Sequence, residues 1–120
     1  MKHSINWFEI PAADFERATT FYEAIFAASL KREVINGFPN AFFPYEQPGV
    51  GGSVVAGEGY VPGVAGPLVY LNTAGAMSTV LERVPKAGGQ VVMPRTDIGM
   101  GIGHMAIIID SEGNRIGLHE

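Results

Sequence analysis

Apolar and polar residues change period along this chain, and the changes mark out its elements. Ser4 to Ile10 alternates, with Ile5, Trp7 and Glu9 on one face and Asn6, Phe8 and Ile10 on the other, which predicts a strand ended by Pro11. Asp14 stands where a helix N-cap belongs, able to accept from the free N–H groups of a first turn. Phe15, Ala18, Phe21, Tyr22, Ile25 and Phe26 then recur at helical spacing and predict a helix to about Ala28. Short strands near Leu30–Val34, Asn40–Tyr45 and Gly52–Ala56 are separated by Asn36-Gly37 and Gln47-Pro48-Gly49. Gly57 to Gly66, rich in glycine and proline, reads as a linker.

The second half repeats this order. Leu68 to Asn72 reads as a strand, and Thr73 is a candidate N-cap for a helix carrying Met77, Val80, Leu81 and Val84 on its apolar face. Gly88-Gly89 closes that helix, with Pro85 in its last turn as the one residue that argues against it. Strands follow at Gln90–Met93, Gly103–Ile109 and Arg115–His119. The result is β-α-β-β-β twice, at an interval of roughly sixty residues. This predicts an α+β fold of two βαβββ modules in one domain, 1–120, with module 1 at about 1–58 and module 2 at about 66–120. A helix on one face of each sheet leaves the other face concave, and Trp7 and Glu9 point into it.

Composition narrows the function classes. The net charge is -4, from 8 basic against 12 acidic residues, with no basic run, so a nucleic acid or anionic membrane partner is not expected. There is no cysteine, hence neither a disulfide framework nor a thiolate site. Met1-Lys2-His3-Ser4 leads straight into the first strand with no apolar run, and the expected location is cytoplasmic.

Trp7-Phe8-Glu9-Ile10-Pro11, followed by Asp14-x-x-Arg17-Ala18-x-x-Phe21-Tyr22, resembles the opening of vicinal oxygen chelate domains, the superfamily of glyoxalases, bleomycin resistance proteins and extradiol dioxygenases. Asp110-Ser111-Glu112-Gly113-Asn114 and the strand after it resemble their closing hairpin. Gly66 to Leu71 and Gly88-Gly89 fall in the expected places, so the ordered likeness covers nearly the whole chain. The resemblance implies a curled mixed sheet around a central cup. In many members the cup holds a divalent metal on His or Glu side chains from four strands; others bind a ligand without metal, often between two chains.

In this sequence those four positions fall on Trp7, near Ser53, on Leu68 and on Gly117, none of which supplies an imidazole or carboxylate. No metal and no cofactor is therefore expected. The expected function is metal-independent binding of a small molecule, ligand unidentified, by a homodimer. The candidate ligand-binding residues are Trp7, Glu9, Ser53, Tyr70, His104 and His119, with either Phe42 or Phe43 facing the cup. Glu9, a carboxylate among aromatic neighbours, is the candidate general acid or base of an alternative reading, a lyase, isomerase or dioxygenase-like enzyme. Pairing with Arg115, Arg95 or a backbone amide would make Glu9 structural instead. A third reading is an interaction module whose cup is filled by its own side chains. Met93 to Met105, glycine-rich and carrying Met100, reads either as a lid or as a loop packed on a second subunit.

Overall fold

Asp14 starts the first helix as its position predicts. In the computed structural model, which describes residues 2–120 and so leaves Met1 outside, its carboxylate accepts the Arg17 amide at 3.0 Å. The helix α1 (Phe15–Phe26) buries Ala18, Phe21, Tyr22 and Ile25 along one stripe. It ends where Ala27 takes a left-handed conformation. Before it lies β1 (Trp7–Ala12), and after it β2 (Lys31–Ile35), β3 (Phe38–Phe42) and β4 (Gly51–Ala56). The second half gives β5 (Tyr70–Asn72), α2 (Met77–Ala87), β6 (Gln90–Asp97), β7 (His104–Ile109) and β8 (Arg115–His119).

The βαβββ unit thus occurs twice, in two four-stranded sheets ordered β1-β4-β3-β2 and β5-β8-β7-β6. In each, the first strand runs parallel to the last, and the other pairings are antiparallel. Asn36 and Gly37, both at positive φ, close the β2–β3 hairpin as an Asn-Gly turn should. Ile10, Val54, Phe21, Tyr22 and Ile25 of the first unit share one core with Leu71, Met77, Val84, Ile108 and Leu118 of the second. Both helix-bearing faces therefore contribute to a common interior. No described helix is long and apolar enough to cross a membrane.

Several boundaries differ from those the sequence predicts, three of them with a visible cause. Pro11 does not end β1, which runs on to Ala12. The Pro11 carbonyl accepts from Asn114 Nδ2 at 2.7 Å, so its main chain faces away from β4, where a missing N–H costs no ladder bond. Thr73 does not cap α2: its hydroxyl donates to the His119 carbonyl at 3.0 Å, and the helix starts after Ala76. The Met77 amide is met instead by Glu120 Oε1 at 2.9 Å. Lastly, β6 continues through Pro94 to Asp97 with two register shifts, so of the segment Met93 to Met105 only 98–103 is loop.

Candidate functional site

Strand register decides which candidate side chains share a face. Glu9 lies opposite Ser53, and Ser53 opposite Phe42, so these three and Trp7 occupy one face of the first sheet. Trp7 meets Phe42 and Tyr45 edge-on, with ring centroids 5.6 and 5.9 Å apart. Phe43 points the other way, against Phe8, Tyr22 and Phe26, which settles which of the two phenylalanines accompanies Trp7. Among the described residues Glu9 pairs with neither Arg115 nor Arg95, the arginines that would make it structural. It accepts a 3.0 Å hydrogen bond from the Tyr60 hydroxyl, brought in by the segment after β4. That bond raises the Tyr60 pKa, because losing the phenolic proton would set two negative charges together.

On the second sheet Tyr70 lies opposite Gly117, which in turn lies opposite Ile107, and His119 lies opposite Asn72 and Met105. His104, one residue before Met105, falls on the opposite face. It accepts from Arg95 at 3.3 Å through Nδ1. The His119 ring donates from Nε2 to the Ile102 carbonyl at 2.7 Å. The two histidines are thus committed to separate partners.

The metal positions suggested by the resemblance do not make a donor set. Ser53 is fully buried and donates to Asn40 Oδ1 at 2.9 Å. Gly117 is covered by Tyr70: a Cβ there would lie 2.5 Å from that ring. Trp7 and Leu68 offer no ligand atom. Among the described residues no three His, Cys, Asp or Glu side chains gather closely enough to hold a metal ion. A divalent metal held by three or four N or O donors does not fit these residues.

Two cavities lie along the seams between the modules. The larger, about 740 Å³, follows β5 and is walled by Phe8, Phe26, Phe43, Leu68 and Tyr70, with Asn72 at one end and no charged side chain. The smaller, about 230 Å³, follows β1 and takes in Glu9 and Arg115 under the segment that carries Val61, Gly63 and Ala65. Of the candidate residues, Tyr70 lines the first and Glu9 the second, so the expected single cup holding both is replaced by two separate spaces. The apolar cleft is what sequence reasoning missed. Its wall includes Phe8, which alternation puts on the face away from Glu9, and Phe43, which the sequence left open between the two faces. The absence of charge from Gly66 to Asn72 was the available signal.

The β1 seam is held by a network centred on Asp110. This buried carboxylate accepts from the Tyr22 hydroxyl at 2.6 Å, from the amides of Glu112 and Asn114, and from Asn114 Nδ2. Burial, and then the charge of Asp110, push the Tyr22 hydroxyl well above its ordinary pKa, so it remains a donor. Glu112, its side chain wholly covered, accepts from the Ala13 and Asp14 amides at 3.0 and 2.8 Å and from Arg17 at 2.7 Å. Burial alone would raise its pKa. The Arg17 guanidinium, the Asp14 amide and the Ser111 hydroxyl together hold it below the ordinary value.

No family model matches the chain. It is 31% identical over 118 residues to proteins of Mycobacterium tuberculosis and Mycobacterium bovis named as candidate glyoxylases (CFP32), a match that covers 94% of this chain. The chain spans only 44% of their length. Its fold is similar to that of a glyoxalase/bleomycin resistance protein from Albidiferax ferrireducens, with a TM-score of 0.70 at 13% identity over 98% of both chains. It is also similar to a glyoxalase-related enzyme from Fulvimarina pelagi, with a TM-score of 0.65 at 16% identity over 99% of this chain and 88% of that one. Fold and sequence likeness agree with the motifs at the two ends of the chain, and this protein is a vicinal oxygen chelate superfamily domain with the glyoxalase/bleomycin-resistance fold.

Proposed function

We propose that this domain binds a small, neutral, largely apolar molecule without a metal, and that the ligand sits in the cleft along β5. The observation that carries this reading is the cleft itself: about 740 Å³ of space walled by aromatic and aliphatic side chains, with no charge. That volume lies within the range of roughly 300–1,000 Å³ of small-molecule sites, which pair apolar walls with few polar groups. Tyr70 and Leu68 are the contacts shared with the residues that the family likeness singles out. Of the four positions at which metal-bearing members carry donors, Leu68 alone lines this cleft.

A second copy of the chain belongs to this reading. Trp7, Val34 and Tyr45 are large apolar residues left exposed outside the cleft, and a homodimer would cover such a surface. The test is a thermal-shift screen of neutral and charged compounds, with and without chelator, on a sample whose mass is measured by light scattering. Neutral apolar compounds should raise the melting temperature and chelator should leave it unchanged, in a protein of twice the chain mass. Replacing Leu68 by Glu should remove the response to compounds. A metal near one per chain, lost only with stability, or a library in which nothing binds, would overturn the reading.

A further inference from the structure

A strand at the end of a sheet has one main-chain edge without a neighbour, and β5 is such a strand, bonded only to β8. The Gly117 amide donates to the Val69 carbonyl at 2.8 Å, and the Thr73 amide donates to the His119 carbonyl at 2.9 Å. Main-chain groups alternate sides along a strand, so those of Val69, Leu71 and Thr73 face β8. The N–H and C=O groups of Tyr70 and Asn72 then face the other way. Among the described residues no main-chain partner meets them there. Tyr70 and Asn72 are also residues that line the large cleft. The wall that the apolar side chains leave open is therefore an edge of unpaired amides.

Asn72 adds a donor. Its Oδ1 accepts the Ala74 amide at 2.8 Å, which fixes the side chain and leaves Nδ2 without a partner among the described residues. The cleft thus presents a row of N–H and C=O groups, one side-chain N–H, and apolar walls from Phe8, Phe26, Phe43 and Leu68. A purely hydrocarbon ligand would bury these polar groups unpaired, an unfavourable exchange for bonds they make to water. A charged ligand would find no counter-charge in the lining.

We propose that the ligand class of this cleft is a neutral, amide-bearing, extended molecule, a short apolar peptide with blocked ends, which pairs with Tyr70 and Asn72 as an added strand. This rests on the β5 cleft being the binding site. Its failure and that of the binding reading give different results.

The test uses N-acetyl-valyl-leucine N-methylamide as the probe, an analogue N-methylated at the leucine nitrogen, and an analogue with an ester in place of that amide. Calorimetry on the whole chain should show the amide probe binding, with the other two weaker by about tenfold or more, the loss of one well-made hydrogen bond in an apolar site. In nuclear magnetic resonance spectra the amide signals of Tyr70 and Asn72 should shift with the amide probe, and those of Leu71 much less. If the three probes bind equally, or if Tyr70 and Asn72 do not respond, edge recognition is wrong although the cleft binds ligands. If the two amides are already protected in a way that depends on protein concentration, a second copy occupies the edge and the proposal falls. If the amide probe does not bind while apolar molecules without amides do, the ligand class is wrong and the binding reading survives.

Discussion

The two seams of this domain occupy matching places in a repeated fold, yet they are built differently. Along β1 the exposed main chain is answered at its C-terminal end: Asn114 Nδ2 donates to the Pro11 carbonyl, and Glu112 accepts the amides of Ala13 and Asp14 just beyond it. The outward groups of Trp7 and Glu9 have no main-chain partner among the described residues. The segment between the modules lies over this seam, tied by the Gly63 amide to Asn114 Oδ1 at 3.0 Å. Along β5 the matching positions are open and the walls are apolar. A chain with two modules has only one connection between them, and it can roof only one seam. The comparison teaches that the polar bonds tying the modules together are concentrated at one seam, which leaves the other open for the ligand proposed above.

Breaking the closed seam should have the largest effect. Asp110→Ala removes the acceptor for the Tyr22 hydroxyl, two amides and the Asn114 side chain, all buried or nearly so. With several donors stranded at roughly 1–3 kcal/mol each, a loss of about 3 kcal/mol or more is expected in urea unfolding. A loss under about 1 kcal/mol would mean that the seam is not held there.

A smaller effect should appear with acid. The folded-state pKa values of Glu112 and Glu120 are lowered, the second by the Met77 amide and then by Arg95. A lowered folded value means that each carboxylate contributes stability in full above the ordinary value near 4.5. That contribution is lost as the pH falls through the folded value. Unfolding free energy measured from pH 7 downward should decline below about pH 4.5. Glu112→Gln should lower stability at pH 7 by about 2 kcal/mol and flatten the decline. An unchanged slope in that variant would assign the acid sensitivity elsewhere.

The open seam should be the least sensitive of all. Asn72→Ala removes only one exposed side-chain acceptor of a local turn, from Ala74, and should change unfolding free energy by no more than about 0.5 kcal/mol. Its effect belongs to ligand affinity instead. If Asn72→Ala destabilised the domain as much as Asp110→Ala, the division of labour between the seams would not hold.

The periodic elements were legible in the sequence because their causes are local. The α1 stripe and its Asp14 cap are three- and four-residue spacings, and the Asn36-Gly37 hairpin is a property of two residues. The exceptions have distant causes. Thr73 looks like an N-cap until the His119 carbonyl, forty-six residues on, takes its hydroxyl. Pro11 looks like a strand end until Asn114 shows which way its main chain faces. For the site, alternation placed Trp7 with Glu9 on one face, and register confirms it. What alternation could not supply is the relation of one sheet to the other. That relation depends on the shared core and sends Glu9 and Tyr70 to different cavities.

The closed seam also has a consequence for the order in which the chain folds. The donors it satisfies on Tyr22, Ala13 and Asp14 lie 88 to 99 residues before their acceptors. During synthesis the first module leaves the ribosome with its helix stripe, its β1 edge and a buried hydroxyl all waiting for residues 110–114. Loop closure over such separations is slow compared with local helix formation. A nascent first module therefore passes through a period with an apolar face and an unpaired strand edge exposed, the condition under which chains associate wrongly. Ending the chain just before Asp110 should accordingly yield an aggregation-prone product rather than a smaller folded unit.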